Sequence, residues 1–390
     1  MYLIENDTNQ LYKMKFLPNK KFAIEHLDAF IEEQILDYTR LRNYDYGVEN
    51  RNNVSLLSPF ISHRILFEFD IVKKVLSKYP YSKVDKFIQE VFWRVYWKGW
   101  LELRPSVWSD FIKSLDNFEQ NQNYLNAING NTNIECFNEW VNEIKQHNYL
   151  HNHTRMWFAS IWIFTLKLPW QQGAAFFLEH LFDGDAASNT LSWRWVAGLQ
   201  TKGKHYLAKS WNIEKFTQNK FSNINLNESA EPLEESMFYE ISPINYSNKN
   251  INNEDLIMFD TDLYLDNYTS KYKRIFLVLP DNNNRQINLS ENVLNFKKNL
   301  LADISNTANN VKIIKHDELA EMFTTKKDFD IIYPFIGENY DYLKLLEAAY
   351  NLDLNIVFKD EDIYCWQFSN KGYFNFKTNI PKILSQFKLN

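Results

Sequence analysis

The sequence predicts a mainly α-helical domain followed by a small α/β domain with a parallel sheet. Three observations lead there. Through residue 221, apolar side chains recur at helical spacing in runs separated by short polar breaks. From residue 254, short β-rich runs alternate with helical stretches, the pattern of strands joined by crossover helices. Between them, residues 222–253 are rich in Asn, Ser and Glu and read as a linker. The expected division is therefore 1–221, 222–253 and 254–390. A chain of 390 residues also exceeds one ordinary hydrophobic core.

The first helix is expected over residues 19 to 43, where Phe22, Leu27, Phe30, Ile31, Ile35 and Tyr38 share a face. Residues 44 to 53 read as a loop. Val54-Ser55-Leu56-Leu57-Ser58-Pro59 follows. Its hydroxyls and N–H groups can hold phosphate, and equally Ser58 can cap a helix with Pro59 at its first position. Glu90 to Trp97 lies on a strong helix that ends near Arg104-Pro105. Residues 116 to 135 are Asn-rich and read as a surface loop, followed by a helix over Phe137–Gln146. A polar loop leads into a helix beginning near Thr154, and Ala159–Leu168 reads as apolar helix. In the last part, strands are expected at Leu256–Phe259, Arg274–Leu279, Val311–Ile314, Ile331–Phe335 and Asn355–Phe358. Helices are expected at Glu291–Asp303, Glu318–Phe323 and Tyr340–Tyr350. No glycine-rich nucleotide motif occurs among them.

Composition narrows the function classes. Aromatics reach 16%, with 12 Trp, 22 Tyr and 30 Phe, too many for a disordered chain. Most belong to a core; some are free to stack on a planar ligand or carry electrons. Cys136 and Cys365 stand far apart and outside any CxxC pattern. That argues for a reducing compartment and against a zinc ribbon or a four-cysteine cluster, and no metal site is expected. No apolar run approaches the ~20 residues that span a bilayer, and no signal-peptide pattern is seen, so a soluble cytoplasmic protein is expected. Residues 1–221 hold 26 Lys+Arg against 24 Asp+Glu, and the remainder 17 against 25. The first part can therefore present a basic face to a polyanion, whereas the acidic second part is not expected to bind nucleic acid.

The chemistry concentrates in Trp170–Trp195, WQQGAAFFLEHLFDGDAASNTLSWRW. An apolar run stops at two carboxylates, Asp183 and Asp185, one residue apart. Carboxylates resist burial unless paired or hydrogen-bonded, so a polar partner is required. By itself the stretch also describes a helix end, a glycine turn and a capping Asp, with the tryptophans in the core. Glu90 and Trp93 share a helix face, with Arg94 beside it. A carboxylate beside an indole can read a flat heterocycle by hydrogen bond and stacking. The same residues equally describe a half-buried helix with a surface salt bridge.

Five motifs in order over residues 20 to 221 resemble the DNA photolyase and cryptochrome family. They are Tyr38 with Ser55-Leu56-Leu57-Ser58-Pro59, Glu90-x-x-Trp93-Arg94, His151-Asn152-His153-Thr154-Arg155-Met156, Asp183-Gly184-Asp185 through Asn189 to Trp193 and Trp195, and the Trp211 to Phe221 segment. The resemblance implies an FAD-binding helical domain of photolyase type. It places Tyr38, Ser55, Leu56, Leu57, Ser58 and Arg94 by the flavin's diphosphate. Arg155 would lie over the flavin and pair with Asp183, with Gly184, Asp185 and Asn189 also around the cofactor. Glu90, Trp93, Asn152, Met156 and Trp195 would hold a pyrimidine dimer, and Trp193 and Trp170 would relay electrons.

The implied activity is that of a deoxyribodipyrimidine photo-lyase, a carbon–carbon lyase. It would repair cyclobutane dimers in damaged DNA by electron transfer from reduced FAD, as a monomer away from membranes. The alternative is a cryptochrome-like blue-light photoreceptor that binds FAD without repair. Departures are visible. Val54 replaces a threonine, Tyr149 a tryptophan, and His153 an arginine that touches DNA phosphate in the family. The segment carrying the third, surface tryptophan is not recognisable. The family carries an antenna-chromophore α/β domain before its flavin domain. Here an α/β domain follows, antenna-like or a replacement, and the pigment is left open. This domain is expected to be separable from the chemistry.

Overall fold

The computed structural model describes residues 16–244, 253–265 and 268–389, so residues 1–15 and the linker's residues 245–252 lie outside the described residues. Asn19 starts the first helix by accepting the N–H of Phe22, 2.7 Å away, and the chain then turns at residues 34–37. The expected helix over 19 to 43 is therefore two, α1 (Lys20–Glu33) and α2 (Tyr38–Leu41). There follow α3 (Ser58–Ile61), α4 (Glu68–Lys78), α5 (Tyr81–Glu102) and α6 (Ser106–Leu115). The Asn-rich stretch expected to be all loop contains α7 (Gln122–Ile128). Asn121 caps it through the N–H of Tyr124, and Ala127 buries against the core, so the polar composition supplied a cap rather than a loop.

Next come α8 (Glu135–His147), α9 (Asn152–Ser160), α10 (Trp170–His180), α11 (Ala186–Ala197) and α12 (Ser210–Phe216). A five-residue π-helical turn, Ile161–Thr165, continues α9. Residues 222–244 form no helix or strand, yet they are laid along the helices. Leu233 N–H donates to Ala197 at 2.9 Å and Ser242 N–H to Leu103 at 2.8 Å.

The last part is the parallel α/β unit that the alternating pattern predicts. Strands β1 (Asp255–Phe259), β2 (Arg274–Val278), β3 (Val311–Ile314), β4 (Asp328–Ile332) and β5 (Asp353–Val357) form one sheet in the order β3-β2-β1-β4-β5, all parallel. Its helices are α13 (Glu291–Ser305), α14 (His316–Thr325) and α15 (Glu338–Tyr350). Period-two alternation sorts the side chains. Ile257, Phe259, Phe276 and Val278 pack with α14 and α15, whereas Leu256, Met258, Ile275 and Leu277 join α13 and the core of the helical domain. One hydrophobic core thus runs from the helices into one face of the sheet.

Three further helices, α16 (Asp360–Trp366), α17 (Tyr373–Thr378) and α18 (Ile380–Gln386), leave the sheet and pack against the helical domain. Their aromatic contacts join Phe376 to Phe92 on α5 and Phe387 to Phe69 on α4. Among the described residues no helix is long and apolar enough to cross a membrane.

Buried charge ties the two parts together. Arg64, fully withdrawn from solvent, donates to Glu68 (3.2 Å), Asp262 (3.0 Å) and both oxygens of Asp362 (2.7 and 2.6 Å). Lys359 donates to Asp262 at 2.8 Å, and Lys297 to Asp260 at 2.7 Å. Removing one partner from such a set strands the others without water. Arg64→Met is expected to lower stability by about 3–5 kcal/mol, measured as a fall in denaturant midpoint. A midpoint unchanged from the parent protein would show that the seam carries no stability.

Candidate functional site

The cavity that matters lies between α5, α9, α10 and α11 and the turn before α3, and has a volume of about 480 Å³. Its walls include Tyr38, Ser55, Leu56, Leu57, Ser58, Glu90, Trp93, Arg94, Asn152, Arg155, Met156, Asp183, Gly184, Asn189, Trp193 and Trp195. Residues up to 157 apart in sequence are thus brought to one hollow. Asp185 stands just behind the wall, where it pairs with Arg94 and caps α11 by accepting Ser188 N–H at 2.8 Å. Trp170 does not reach the cavity. It is buried against Phe111, ring centroids 5.5 Å apart, with the Arg194 guanidinium 5.8 Å from its ring.

Local sequence explains how the walls meet. Helices α10 and α11 form a hairpin whose turn holds both carboxylates. Gly173 lets them close: a Cβ there would lie 2.3 Å from the Trp193 ring and 3.0 Å from Trp162. Any larger residue must push the helices apart. The Phe182 N–H is held by the Asn148 carbonyl at 2.9 Å, which fixes the start of the turn. Leu56, at φ 51°, takes a left-handed conformation that costs a non-glycine residue energy and lets the Ser55–Ser58 turn face the hollow.

The polar partner demanded by Asp183 is Arg155. Its Nη1 lies 3.0 Å from the carboxylate, while its Nε donates to the Leu150 carbonyl at 2.8 Å. Burial alone would raise the Asp183 pKa. The Arg155 and Arg94 guanidiniums and the Ser58 hydroxyl outweigh it and hold the carboxyl below its ordinary value. The Arg155 guanidinium also lies over the Tyr149 ring at 5.2 Å, so the tyrosine found in place of tryptophan still supports the arginine.

Glu90 meets two cations, Arg42 at 3.0 Å and Lys86 at 3.1 Å, and both meet the same oxygen, Oε1. Among the described residues no protein donor meets Oε2. Trp93 stands one turn along the same wall, and Trp97 a further turn on. Arg42, Lys86 and Trp97 were absent from the sequence expectations. Lys86 and Trp97 sit four residues before Glu90 and after Trp93, a spacing that could have shown them. Arg42 comes from α2's end and left no local signal.

His153 turns inward. Its Nδ1 bonds the Asn43 carbonyl at 2.9 Å and its ring lies 4.2 Å from Trp157, so it is packed in the interior rather than offered to a phosphate. Neighbouring His151 is fully buried, and its Nδ1 accepts the His153 N–H at 3.2 Å.

A flavin dinucleotide fits this wall. The buried Ser188 Oγ and Trp193 Nε1 find no partner among the described residues, and both residues line the cavity with Arg94, Arg155 and the Ser55–Ser58 turn. A ligand with ring acceptors and phosphates supplies what these groups lack.

The FAD binding domain of DNA photolyase matches residues 87–223. Over these residues the chain is similar to the DNA photolyase and cryptochrome family. The deoxyribodipyrimidine photo-lyase of Buchnera aphidicola subsp. Baizongia pistaciae is 29% identical over 195 residues, covering 47% of this chain and 39% of that protein. Cryptochrome DASH of Idiomarina loihiensis is 24% identical over 220 residues, 54% of this chain and 48% of its own. A bacterial class III photolyase structure from Agrobacterium tumefaciens covers 51% of this chain and 43% of its own, at 24% identity and TM-score 0.44. The chain spans less than half the length of the curated relatives it matches. Its cofactor is FAD, as the matched domain states.

Two outcomes follow from this geometry. Asp183→Asn keeps the shape but removes the counter-charge of Arg155. Purified protein should then carry well under one FAD per chain and lose about 2–3 kcal/mol of stability, read by absorbance after denaturation and by thermal melting. The second concerns pH. Burial pushes the His151 pKa down to about 3, so the folded protein holds it neutral where the unfolded chain would protonate it. Its contribution is complete above about pH 6.5 and fades as pH falls toward the folded value, by roughly 1.4 kcal/mol per unit. The melting temperature of His151→Asn should therefore fall less between pH 6.5 and 4.5 than that of the parent; equal slopes would exclude this role.

Proposed function

We propose that this protein is a light-driven DNA repair enzyme for cyclobutane pyrimidine dimers, with Asp183, Gly184, Asp185, Arg94, Arg155, Asn189, Tyr38 and Ser55–Ser58 holding FAD. The observation that carries the reading is a second set of residues on the same cavity. There Glu90, Trp93, Asn152, Met156 and Trp195 face one hollow, and Glu90 keeps one oxygen for a ligand. FAD binding by itself calls for no carboxylate at that place.

A dimer flipped from the duplex suits such a pocket. Trp93 and Trp195 supply flat apolar surfaces for the joined pyrimidines, and Met156 supplies adaptable contact. Glu90 accepts from a ring N–H, and its position is set by Arg42 and Lys86 on the other oxygen. Asn152, exposed at the rim, offers a donor and an acceptor to the pyrimidine edges. Bound reduced FAD supplies the electron that light transfers to the dimer. What the chain adds is orientation and preorganised hydrogen bonding, commonly worth a few kcal/mol at developing charge. Trp193, on the wall, and Trp170, behind it, are the residues we assign to electron supply.

A second reading, a blue-light receptor that binds FAD without repair, is favoured by the match to Cryptochrome DASH and by the inward turn of His153. The two separate on one experiment. Glu90→Ala should keep the FAD absorbance yet bind dimer-containing oligonucleotide more weakly and lower the repair yield by roughly 10²-fold or less, the scale of one lost preorganised contact. Light-dependent loss of thymine dimers is measured for both proteins. Equal repair by parent and variant removes Glu90 from the site, and no repair by the parent in single- or double-stranded DNA leaves the receptor reading.

A further inference from the structure

The second part of the chain does not stop at the sheet. After β5 it returns to α5 and places Tyr373 flat against Trp93, with ring centroids 3.4 Å apart and planes inclined by 12°. Tyr373 is itself buried, and its hydroxyl donates to the Gln89 carbonyl at 2.6 Å, one turn before Trp93. Two more bonds pin the approach. The Tyr96 hydroxyl donates to the Lys371 carbonyl at 3.0 Å, and Arg104 donates to the Asn370 carbonyl at 2.9 Å. Tyr96 also meets the Tyr373 ring edge-on at 5.4 Å. The ring is thus clamped from three sides onto a residue of the candidate site.

A tryptophan has two faces, and one of these is taken. Trp97 lies tilted at 5.1 Å and Tyr96 edge-on at 5.6 Å, so the indole sits in an aromatic box with its remaining surface toward the hollow. A side chain held this way has no rotamer freedom left to lose when a flat ligand stacks on it. We infer that Tyr373 is a positioning residue: supplied by the C-terminal helices, it fixes Trp93 so that a single face of the indole is presented to a planar, stacked substrate. This rests on the reading of Trp93 as part of the substrate wall. One residue of the cavity wall, Trp93, is thus backed by a residue from beyond the sheet.

The test compares Tyr373→Leu, which keeps apolar volume but loses the flat face, with Tyr373→Phe, which keeps the face but loses the hydroxyl. Both are assayed as full-length, FAD-loaded protein with an oligonucleotide carrying one thymine dimer. Tyr373→Leu should retain its FAD content and bind the damaged oligonucleotide roughly three- to tenfold more weakly, the cost of ordering one large side chain on binding. Tyr373→Phe should bind close to the parent. In a Trp93→Ala background, Tyr373→Leu should have no further effect on affinity.

Parent-like affinity in Tyr373→Leu, equal losses in the Leu and Phe variants, or additive losses in the double variant each overturn the assignment. If the parent shows no preference for damaged DNA, the repair reading has failed on its own account. Tyr373 is then judged by acrylamide quenching of Trp93, taken as the difference from Trp93→Phe. Greater quenching in Tyr373→Leu supports the clamp and unchanged quenching overturns it. Should Tyr373→Leu not load FAD, Tyr373→Met carries the same comparison.

Discussion

A guanidinium without access to water has to be met on every side, and Arg64 is the clearest case in this molecule. Its carboxylate partners come from α4, from the loop after β1 and from α16. No one of these segments could be withdrawn without leaving charge stranded in a medium of low dielectric. The α/β unit is therefore docked on the helices in one way, and the chain after β5 is drawn back to α5. The placement of Tyr373 on Trp93 follows from that anchorage. His63 adds to the same seam: its two ring nitrogens bond the carbonyls of Asp260 and Phe182, linking the end of β1 to the turn that carries Asp183.

The cavity has a division of labour set by physical chemistry. Part of the lining is ionic, with Asp183 against Arg155, and Arg94 held from behind by Asp185, together with the polar turn Ser55–Ser58. Such charges are tolerable near burial because each has its counter-ion and because a phosphate-bearing cofactor adds further partners. The same cavity also holds the aromatic rings of Trp93, Trp97 and Trp195, and one carboxylate, Glu90, whose two cations share one oxygen. Gly173 makes the geometry possible by letting Trp193 and Trp162 close against α10, so that α11 brings Trp193 and Trp195 to the same space.

Much of this was readable in the chain itself, and for local reasons. Period 3.6 and period 2 follow from backbone geometry, so the helices of the first part and the five parallel strands of the second were legible from the spacing of apolar residues. The strand Val311–Ile314 coincides with its expected span, and β4 and β5 differ only by a shift toward their N-terminal ends. The need of Asp183 for a partner was also legible, because an apolar run ending in carboxylates has few physical resolutions. Where the reading failed, composition misled it. Asn-rich residues 116–135 suggested loop, but an asparagine at a helix start is a cap, and α7 formed behind it. His153, which takes the place of an arginine that touches DNA phosphate in the family, packs on Trp157.

Sequence alone determined most of the elements and the order of the motifs, because each depends on residues close together along the chain. The tertiary structure decided what lies across from what. Arg42 reaches Glu90 from a separate helix, and Tyr373 reaches Trp93 from 280 residues away. Neither pairing leaves a periodic trace. Such contacts depend on how independent segments are docked, and docking is settled by buried charge and shared core, which no stretch of sequence carries by itself.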